Sequence, residues 1–183
     1  MAKVVAICGM PGSGKGVFGD AAKQLGLIVR SMGDMIRAEV ERRGIAGDPH
    51  VFGRVAQELR DEYGYGVLAS RLIPIIEAED SSEELVVIEG MRGIDEYDEF
   101  CAAWGDDFSV VAIVCDTDAR FSRILARGRS EDGDRASFDE RDAREIDWGV
   151  QTLIDNADHV INNSGSLPMF ASICTGLLFE LSA

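Results

Sequence analysis

The stretch that most restricts the fold is a glycine-rich segment that directly follows an apolar run near the start of the chain. The apolar run KVVAIC leads into GMPGSGKG, so that Gly9, Gly14 and Lys15 have the spacing Gly-x-x-x-x-Gly-Lys. Between a strand and a helix, the backbone N–H groups of such a segment can surround a polyphosphate, and glycines allow its close approach. The segment therefore predicts a strand, a phosphate-binding loop and a helix, with the lysine on the phosphates.

The residues after the lysine depart from the common form of this loop. That form has a serine or threonine there, whose hydroxyl binds magnesium, whereas this chain has Gly16 and then Val17. The loop thus lacks the usual direct magnesium ligand. We expect the metal to be held mainly by the nucleotide and by water.

Short apolar runs alternate with helical patterns along the whole chain. The predicted strands cover residues 3–8, 27–30, 85–89, 109–115 and 159–162, and the predicted helices cover 15–25, 32–43, 51–62, 67–79, 94–104, 119–127, 138–146 and 167–181. This alternation predicts an α/β domain whose parallel sheet is covered on both faces. The highly charged residues 127–147 are either a solvated helical hairpin or a lid that closes over phosphates.

Charge and hydropathy exclude several classes of partner. The net charge of −15 disfavours non-specific binding to nucleic acid or to an anionic membrane. No apolar run approaches the roughly 20 residues that cross a bilayer, and no basic leader with a cleavage site is visible, so we expect a cytoplasmic protein. All but three of the 18 basic residues are arginines, whose guanidinium groups bind phosphate in bidentate fashion.

Several motifs resemble those of known nucleotide kinases. GMPGSGKG resembles the adenylate-kinase loop G-x-P-G-x-G-K-G-T, although Val17 stands where those enzymes have threonine. SMGDMIRAEV, residues 31–40, resembles their segment S-T-G-D-M-L-R-A, and VVIEGMRG, residues 86–93, resembles their D-G-[FY]-P-R less closely. ADHVINNSGSL, residues 157–167, resembles the last strand of dephospho-CoA kinases.

The chain as a whole resembles a family of archaeal P-loop proteins of unassigned activity, between adenylate and cytidylate kinases and dephospho-CoA kinase. This resemblance implies a three-layer P-loop fold with a five-stranded parallel sheet in the order 2-3-1-4-5. It implies one kinase domain over residues 1–183, in which residues 32–80 form an acceptor-binding helical insertion and residues 128–147 form the lid.

The resemblance also implies roles for individual residues. The implied ATP site consists of the loop and of four later residues: Gly9, Met10, Pro11, Gly12, Ser13, Gly14, Lys15, Gly16, Val17, Arg123, Arg127, Asn163 and Gly165. The implied catalytic residues are Lys15, Asp34, Arg92, Arg127 and Arg141, and the implied acceptor-binding residues are Asp34, Arg37, Arg60 and Arg92. Glu89 and Asp34 would hold magnesium through water, as Glu89 ends an apolar strand.

Two of these assignments have structural alternatives. Asp34 and Arg37 lie three residues apart and could form only an exposed ion pair on a helix. Arg60 could equally belong to a solvated helix face with Arg54 and Gln57.

The expected reaction is transfer of the γ-phosphoryl group of ATP, with Mg²⁺, to a small phosphorylated acceptor. A nucleoside monophosphate is favoured by residues 31–40, although Met32 stands where adenylate kinases place a threonine against the base of AMP. Residues 157–165 favour instead an acceptor like dephospho-CoA. The alternative from another class is a regulatory protein that binds or hydrolyses ATP and has no small-molecule acceptor.

Overall fold

The computed structural model describes residues 3–45, 50–78, 85–128 and 133–183. The strands are β1 (Val4–Cys8), β2 (Ile28–Ser31), β3 (Val86–Glu89), β4 (Phe108–Val114) and β5 (His159–Asn162). The helices are α1 (Lys15–Gln24), α2 (Met32–Arg43), α3 (Val51–Tyr63), α4 (Val67–Glu77), α5 (Ile94–Trp104), α6 (Thr117–Arg127), α7 (Arg135–Asp147), α8 (Val150–Asp155) and α9 (Leu167–Ser182). A 3-10 turn, Gly105–Asp107, leads into β4.

All five strands are parallel, in the order β2-β3-β1-β4-β5. The central strand β1 is fully buried, and its Ala6 lies beside Ile88 of β3 and Val110 of β4. Since β1 is in the middle, the loop that follows it leaves the sheet where the strand order reverses direction. This is the position at which parallel α/β sheets bind their ligands, and the predicted sheet order is confirmed.

The sheet separates two apolar cores, and alternate residues of each strand enter opposite ones. On one face, Val4, Ala6 and Cys8 pack with residues of α2, α3, α4, α5 and α8. On the other face, Val5 and Ile7 pack with residues of α1 and α9. The continuous apolar runs in the sequence arise because both faces of the strands are buried.

The predicted elements agree closely with the structure, with three corrections. The short helix α8 was not predicted, because only Val150 and Leu153 of its six residues are buried and so few positions show no helical period. Helix α6 begins two residues before the predicted start. Helix α7 begins three residues early, because the side chain of Asp134 accepts a hydrogen bond from the Ser137 backbone N–H at 3.0 Å and caps it.

The charged segment 127–147 is not a fully solvated hairpin, although residues 129–132 lie outside the described ranges. In α7, Phe138 and Glu145 are each 1 % exposed. The ring of Phe138 packs on Phe121 of α6, with the centroids 5.3 Å apart. The side chain of Arg120 pairs with Asp142 at 2.6 Å, which joins the two helices further.

The described part of the insertion 32–80 consists of α2, α3 and α4, and residues 46–49 and 79–80 lie outside it. Among the described residues, no helix combines the length and apolar character that crossing a membrane requires.

Candidate active site

The phosphate-binding loop connects β1 to α1 and depends on glycine. Gly9, Gly12 and Gly14 all have positive φ angles, of 145°, 79° and 109°. A side chain at Gly9 would also place its Cβ only 2.5 Å from the carbonyl oxygen of Ile113. Within the described residues, the buried hydroxyl of Ser13 has no hydrogen-bond partner. The loop therefore offers backbone N–H groups and a hydroxyl that is not yet hydrogen-bonded. These donors suit a ligand that is rich in hydrogen-bond acceptors.

Lys15 is the first residue of α1, and its ammonium group turns back over the loop. Its Nζ donates hydrogen bonds to the carbonyl oxygens of Gly9 and Met10, the latter at 3.0 Å. The pKa of Lys15 is lowered to about 8, chiefly by burial and also by the positive charges of Arg92 and Arg141, against the raising effect of Glu145. This ammonium is only partly compensated, so it would gain from a neighbouring phosphate.

A buried carboxylate, Glu145 of α7, lies among three of the predicted catalytic cations. It pairs with Arg92, and the Nε of Arg141 lies 3.3 Å from its Oε1. Burial would raise the pKa of Glu145, but the charges of Arg92, Lys15 and Arg141 outweigh this and lower it. Sequence reasoning missed Glu145, although its spacing four residues after Arg141 was a possible signal.

The ends of β2 and β3 bring the predicted metal and acceptor residues to one edge of the sheet. Asp34 and Arg37 form an ion pair on α2 and are both more than half exposed at the side chain. The carboxylate of Glu89, the last residue of β3, lies against Gly19 of α1, and a Cβ at Gly19 would require this carboxylate to move. Burial raises the pKa of Glu89.

Few of these acids could bind a metal directly. Among the residues that the structure describes, there is no group of three or more His, Cys, Asp or Glu side chains able to hold a metal ion. Glu89 and Asp34 both line the cavity beside the loop. Two carboxylates in that position suit a Mg²⁺ ion that keeps most of its water and binds chiefly to nucleotide phosphates.

The segment that follows β5 contacts the phosphate-binding loop. The Asn163 side chain is buried, and its amide donates to the carbonyl oxygen of Ser13 at 2.8 Å. Its backbone carbonyl accepts from Arg123 at 2.8 Å, and Arg123 also lies 3.1 Å from the sulfur of Cys115. Gly165 and Arg127 are exposed. Asn163 thus connects Arg123, which is predicted to lie near the adenine, to Ser13 of the phosphate loop.

Two adjoining cavities occupy the carboxyl end of the sheet. The larger, of about 810 Å³, is lined by the loop, by Glu89 and Asp34, and by Arg123 and Arg127. The smaller, of about 180 Å³, lies between α2, α3 and α7. Both are lined by Gly33, Arg37, Gly90, Arg92 and Arg141. Three arginines therefore stand at the junction of a loop-side cavity and a second, smaller cavity.

Arg60 lines the smaller cavity but is bound within the protein. The residue is 3 % exposed, so a solvated face for Arg60 is wrong. Its guanidinium donates to Glu96 at 2.7 Å and to the carbonyl oxygen of Ala56 at 3.0 Å, and it lies 4.3 Å from the ring centroid of Trp148. Glu96 also accepts from the backbone N–H of Arg92 at 2.7 Å.

Arg120 is a further site residue that sequence reasoning missed. Besides its ion pair with Asp142, it donates to the carbonyl oxygen of Pro11 at 2.9 Å. It therefore connects the phosphate loop to α7. Its position four residues before the buried Ile124, on the inner face of α6, was the available signal.

The sequence of this chain is similar to those of a known protein family. Residues 8–140 match the family model described as an AAA domain. The UPF0200 protein of Methanosarcina mazei is 39 % identical over 171 residues, which cover 93 % of this chain and 90 % of that protein. The UPF0200/UPF0201 protein of Archaeoglobus fulgidus is 39 % identical over 181 residues, or 98 % of this chain. The chain spans 56 % of the length of this second relative.

Two solved structures have a similar fold. The crystal structure of TT1252 from Thermus thermophilus matches with a TM-score of 0.70 and 16 % identity, over 100 % of this chain and 99 % of that one. Dephospho-CoA kinase from Campylobacter jejuni matches with a TM-score of 0.59 and 14 % identity, over 98 % and 97 % of the two chains. At these identities the likeness concerns the fold alone. With the phosphate loop, the sheet order and the relatives taken together, the chain is a member of the UPF0200 family and has the fold of the P-loop kinases.

Proposed function

We propose that this protein is an ATP-dependent phosphotransferase that moves the γ-phosphoryl group to a small phosphorylated acceptor, with a nucleoside monophosphate as the favoured acceptor. The observation that carries the proposal is the pair of adjoining cavities joined by Arg37, Arg92 and Arg141. One cavity contains the phosphate loop and the other does not. Two phosphorylated molecules could therefore meet end to end at the shared arginines, as phosphoryl transfer requires.

Each part of the site has a role in this proposal. The loop and Lys15 bind the β- and γ-phosphates of ATP, and Arg127 and Arg141 stabilise the migrating group. Arg37 and Arg92 bind the acceptor phosphate, and Arg60 closes the far wall of its cavity. Arg123, Asn163 and Gly165 border the adenine.

Magnesium would be bound through water by Glu89 and Asp34, and it would neutralise charge on the ATP phosphates. The transfer forms a bond from an acceptor oxygen to the γ-phosphorus and breaks the bond to the β–γ bridging oxygen, which leaves with ADP. With a hydroxyl acceptor, Asp34 would take the proton.

We further propose that residues 128–147 act as a lid and residues 32–80 as the acceptor-binding insertion. Arg141 and Glu145 of α7 line the acceptor cavity, as do residues of α2 and α3. Movement of α7 would therefore open or close both substrate sites together. Closure would exclude water and limit hydrolysis of ATP.

The proposed acceptor role can be tested with Arg37→Ala. We expect the substitution to raise the KM of the acceptor about 10- to 100-fold, because a hydrogen-bonded charge is lost, and to leave the KM of ATP unchanged. The assay is transfer from radiolabelled ATP to a panel of nucleoside monophosphates and dephospho-CoA. Arg42→Ala is the matched control, since Arg42 is exposed on the same helix and pairs with Glu39.

Three outcomes of this assay lead to different conclusions. Transfer to dephospho-CoA alone would mean that the acceptor is dephospho-CoA and not a nucleoside monophosphate. ATP hydrolysis without transfer to any acceptor, and unchanged by Arg37→Ala, would indicate the regulatory protein. Equal effects of Arg37→Ala and Arg42→Ala would show that Arg37 does not bind the acceptor.

The lowered pKa of Lys15 predicts that ATP binding depends on pH. The phosphates of ATP favour the ammonium form, so above pH 8 the protein must take up a proton as ATP binds. For a pKa of about 8, we expect the affinity for ATP to fall about tenfold between pH 7 and pH 9. Calorimetry in buffers of different ionisation enthalpy measures both the affinity and the proton uptake. An affinity that is constant over this range would contradict the role given to Lys15.

A further inference from the structure

Arg144 is a cation of the acceptor cavity that has no role in the mechanism above. It lies on α7 and lines the smaller cavity, with its guanidinium carbon 5.7 Å from the ring centroid of Trp148. Its Nε is buried and has no hydrogen-bond partner among the described residues. A buried donor without a partner is costly, and Arg144 lines the cavity, so a ligand with hydrogen-bond acceptors would stabilise this side chain.

The other arginines of this cavity are already compensated. Arg37 pairs with Asp34, Arg60 pairs with Glu96, and Arg92 and Arg141 share Glu145.

For Arg144, the described ranges contain no carboxylate within ion-pair distance. Burial lowers the pKa of Arg144, although the field of Glu145 opposes this. Arg144 is thus the cavity arginine with the most unused hydrogen-bonding capacity.

Gly53 of α3 keeps the space that Arg144 occupies. A Cβ at this position would lie 2.9 Å from Nη2 and 3.1 Å from Cζ of Arg144. Glycine is a poor helix former, yet Gly53 lies near the start of a 13-residue helix and has no positive φ that would require it. We infer that the missing side chain at this position allows the guanidinium to rest against α3.

The size of the cavity and the shape of the guanidinium limit what can bind there. The volume of this cavity, about 180 Å³, is much smaller than the volume of about 810 Å³ of the cavity beside the loop. This suits a flat ring better than a long flexible arm. The guanidinium presents two parallel N–H donors in one plane and no acceptor. Its complement is a planar group with two neighbouring acceptor atoms.

Only some nucleobases have such an edge. Guanine offers O6 and N7, and cytosine offers O2 and N3, as neighbouring acceptors. The edges of adenine and uracil instead alternate acceptors with N–H donors, which would face the donors of Arg144.

We propose that Arg144, placed by Gly53, reads the base of the acceptor and selects cytosine or guanine nucleotides over adenine and uracil nucleotides. This inference rests on the proposed function, because the base belongs to the same acceptor whose phosphate meets Arg37 and Arg92.

Binding of CMP, GMP, AMP and UMP to the full chain, measured by calorimetry, tests the proposal without relying on catalysis. We expect CMP and GMP to bind about tenfold more tightly than AMP and UMP. Arg144→Ala should remove the difference. Arg144→Lys should remove it as well, because lysine keeps the charge but not the two parallel donors.

Gly53→Ala tests the positioning separately. The added methyl group displaces only the flexible end of Arg144, so we expect thermal stability equal to or above that of the wild type, with CMP and GMP binding weakened about tenfold. Gly176→Ala is the matched control, because Gly176 lies within α9 and a Cβ there contacts nothing within 4 Å. It should leave all four affinities unchanged.

The outcomes separate this inference from the proposed function. Equal binding of the four nucleotides by the wild type, binding of none, or a preference that survives Arg144→Ala or Arg144→Lys would overturn the base-reading role, even if phosphoryl transfer occurs. A preference for CMP and GMP that depends on Arg144, found without any transfer, would support the subsite and overturn the phosphotransferase.

Discussion

We expect Lys15→Ala to lower kcat for phosphoryl transfer about 100- to 1,000-fold, the usual cost of removing one preorganised donor from a developing charge. In the proposed mechanism Lys15 meets the γ-phosphate at the loop, and its burial would strengthen its interaction with that charge. The fold should persist, because the substitution removes a poorly solvated ammonium and leaves Arg92 and Arg141 to compensate Glu145. Steady-state transfer assays and thermal denaturation measure the two effects.

Lys23→Ala is the control for this substitution. Lys23 lines the same large cavity, but its side chain is 59 % exposed and lies 3.8 Å from Asp20. Its removal should change kcat less than about fivefold, since an exposed pair contributes about 0–1 kcal/mol. Similar losses of activity for Lys15→Ala and Lys23→Ala would mean that general positive charge, and not the loop lysine, accelerates the reaction.

We expect Arg60→Ala to reduce the free energy of unfolding by about 3–5 kcal/mol, the usual cost of breaking a buried ion pair from one side. The side chains of Arg60 and Glu96 are 2 % and 0 % exposed. Removing Arg60 leaves a buried carboxylate whose remaining hydrogen bond, among the residues that the structure describes, comes from the backbone N–H of Arg92 at 2.7 Å. The contact of Arg60 with Trp148 is lost as well. Urea denaturation measures the change.

Two further variants test this explanation. Arg54→Ala, on the same helix but half exposed, should change stability by less than about 0.5 kcal/mol. Arg60→Met combined with Glu96→Gln should recover part of the loss, because both charges are removed and an acceptor for Arg92 remains. A loss below 1 kcal/mol for Arg60→Ala would show that the pair is not the connection between α3 and α5 that its burial indicates.

The sheet and the phosphate loop could be predicted from sequence because their signals are local. Each strand is buried on both faces, so it appears as an apolar run of its own length, and the loop has a fixed glycine spacing. The order of the strands was supplied by resemblance and not by periodicity. Helix α8 escaped detection since only two buried positions support it.

Most cations of the candidate site could be named from sequence, but their partners could not. In the segment RDARE, Glu145 looks like any solvated acid, and only the packing of α7 shows that it is buried beside Arg92, 53 residues away along the chain. The same holds for Arg60 and Glu96, which lie 36 residues apart. Burial of charge depends on long-range contacts, which a local pattern does not contain.

The carboxylate of Glu145 has a consequence for the protein between turnovers. Lys15, Arg92 and Arg141 would repel one another if they lay together without a counter-charge, and the segments that carry them would be pushed apart. An internal anion at their centre offsets this repulsion in the resting state. The three cations can therefore stay assembled before any substrate arrives, and little reorganisation remains to be done when the phosphates bind.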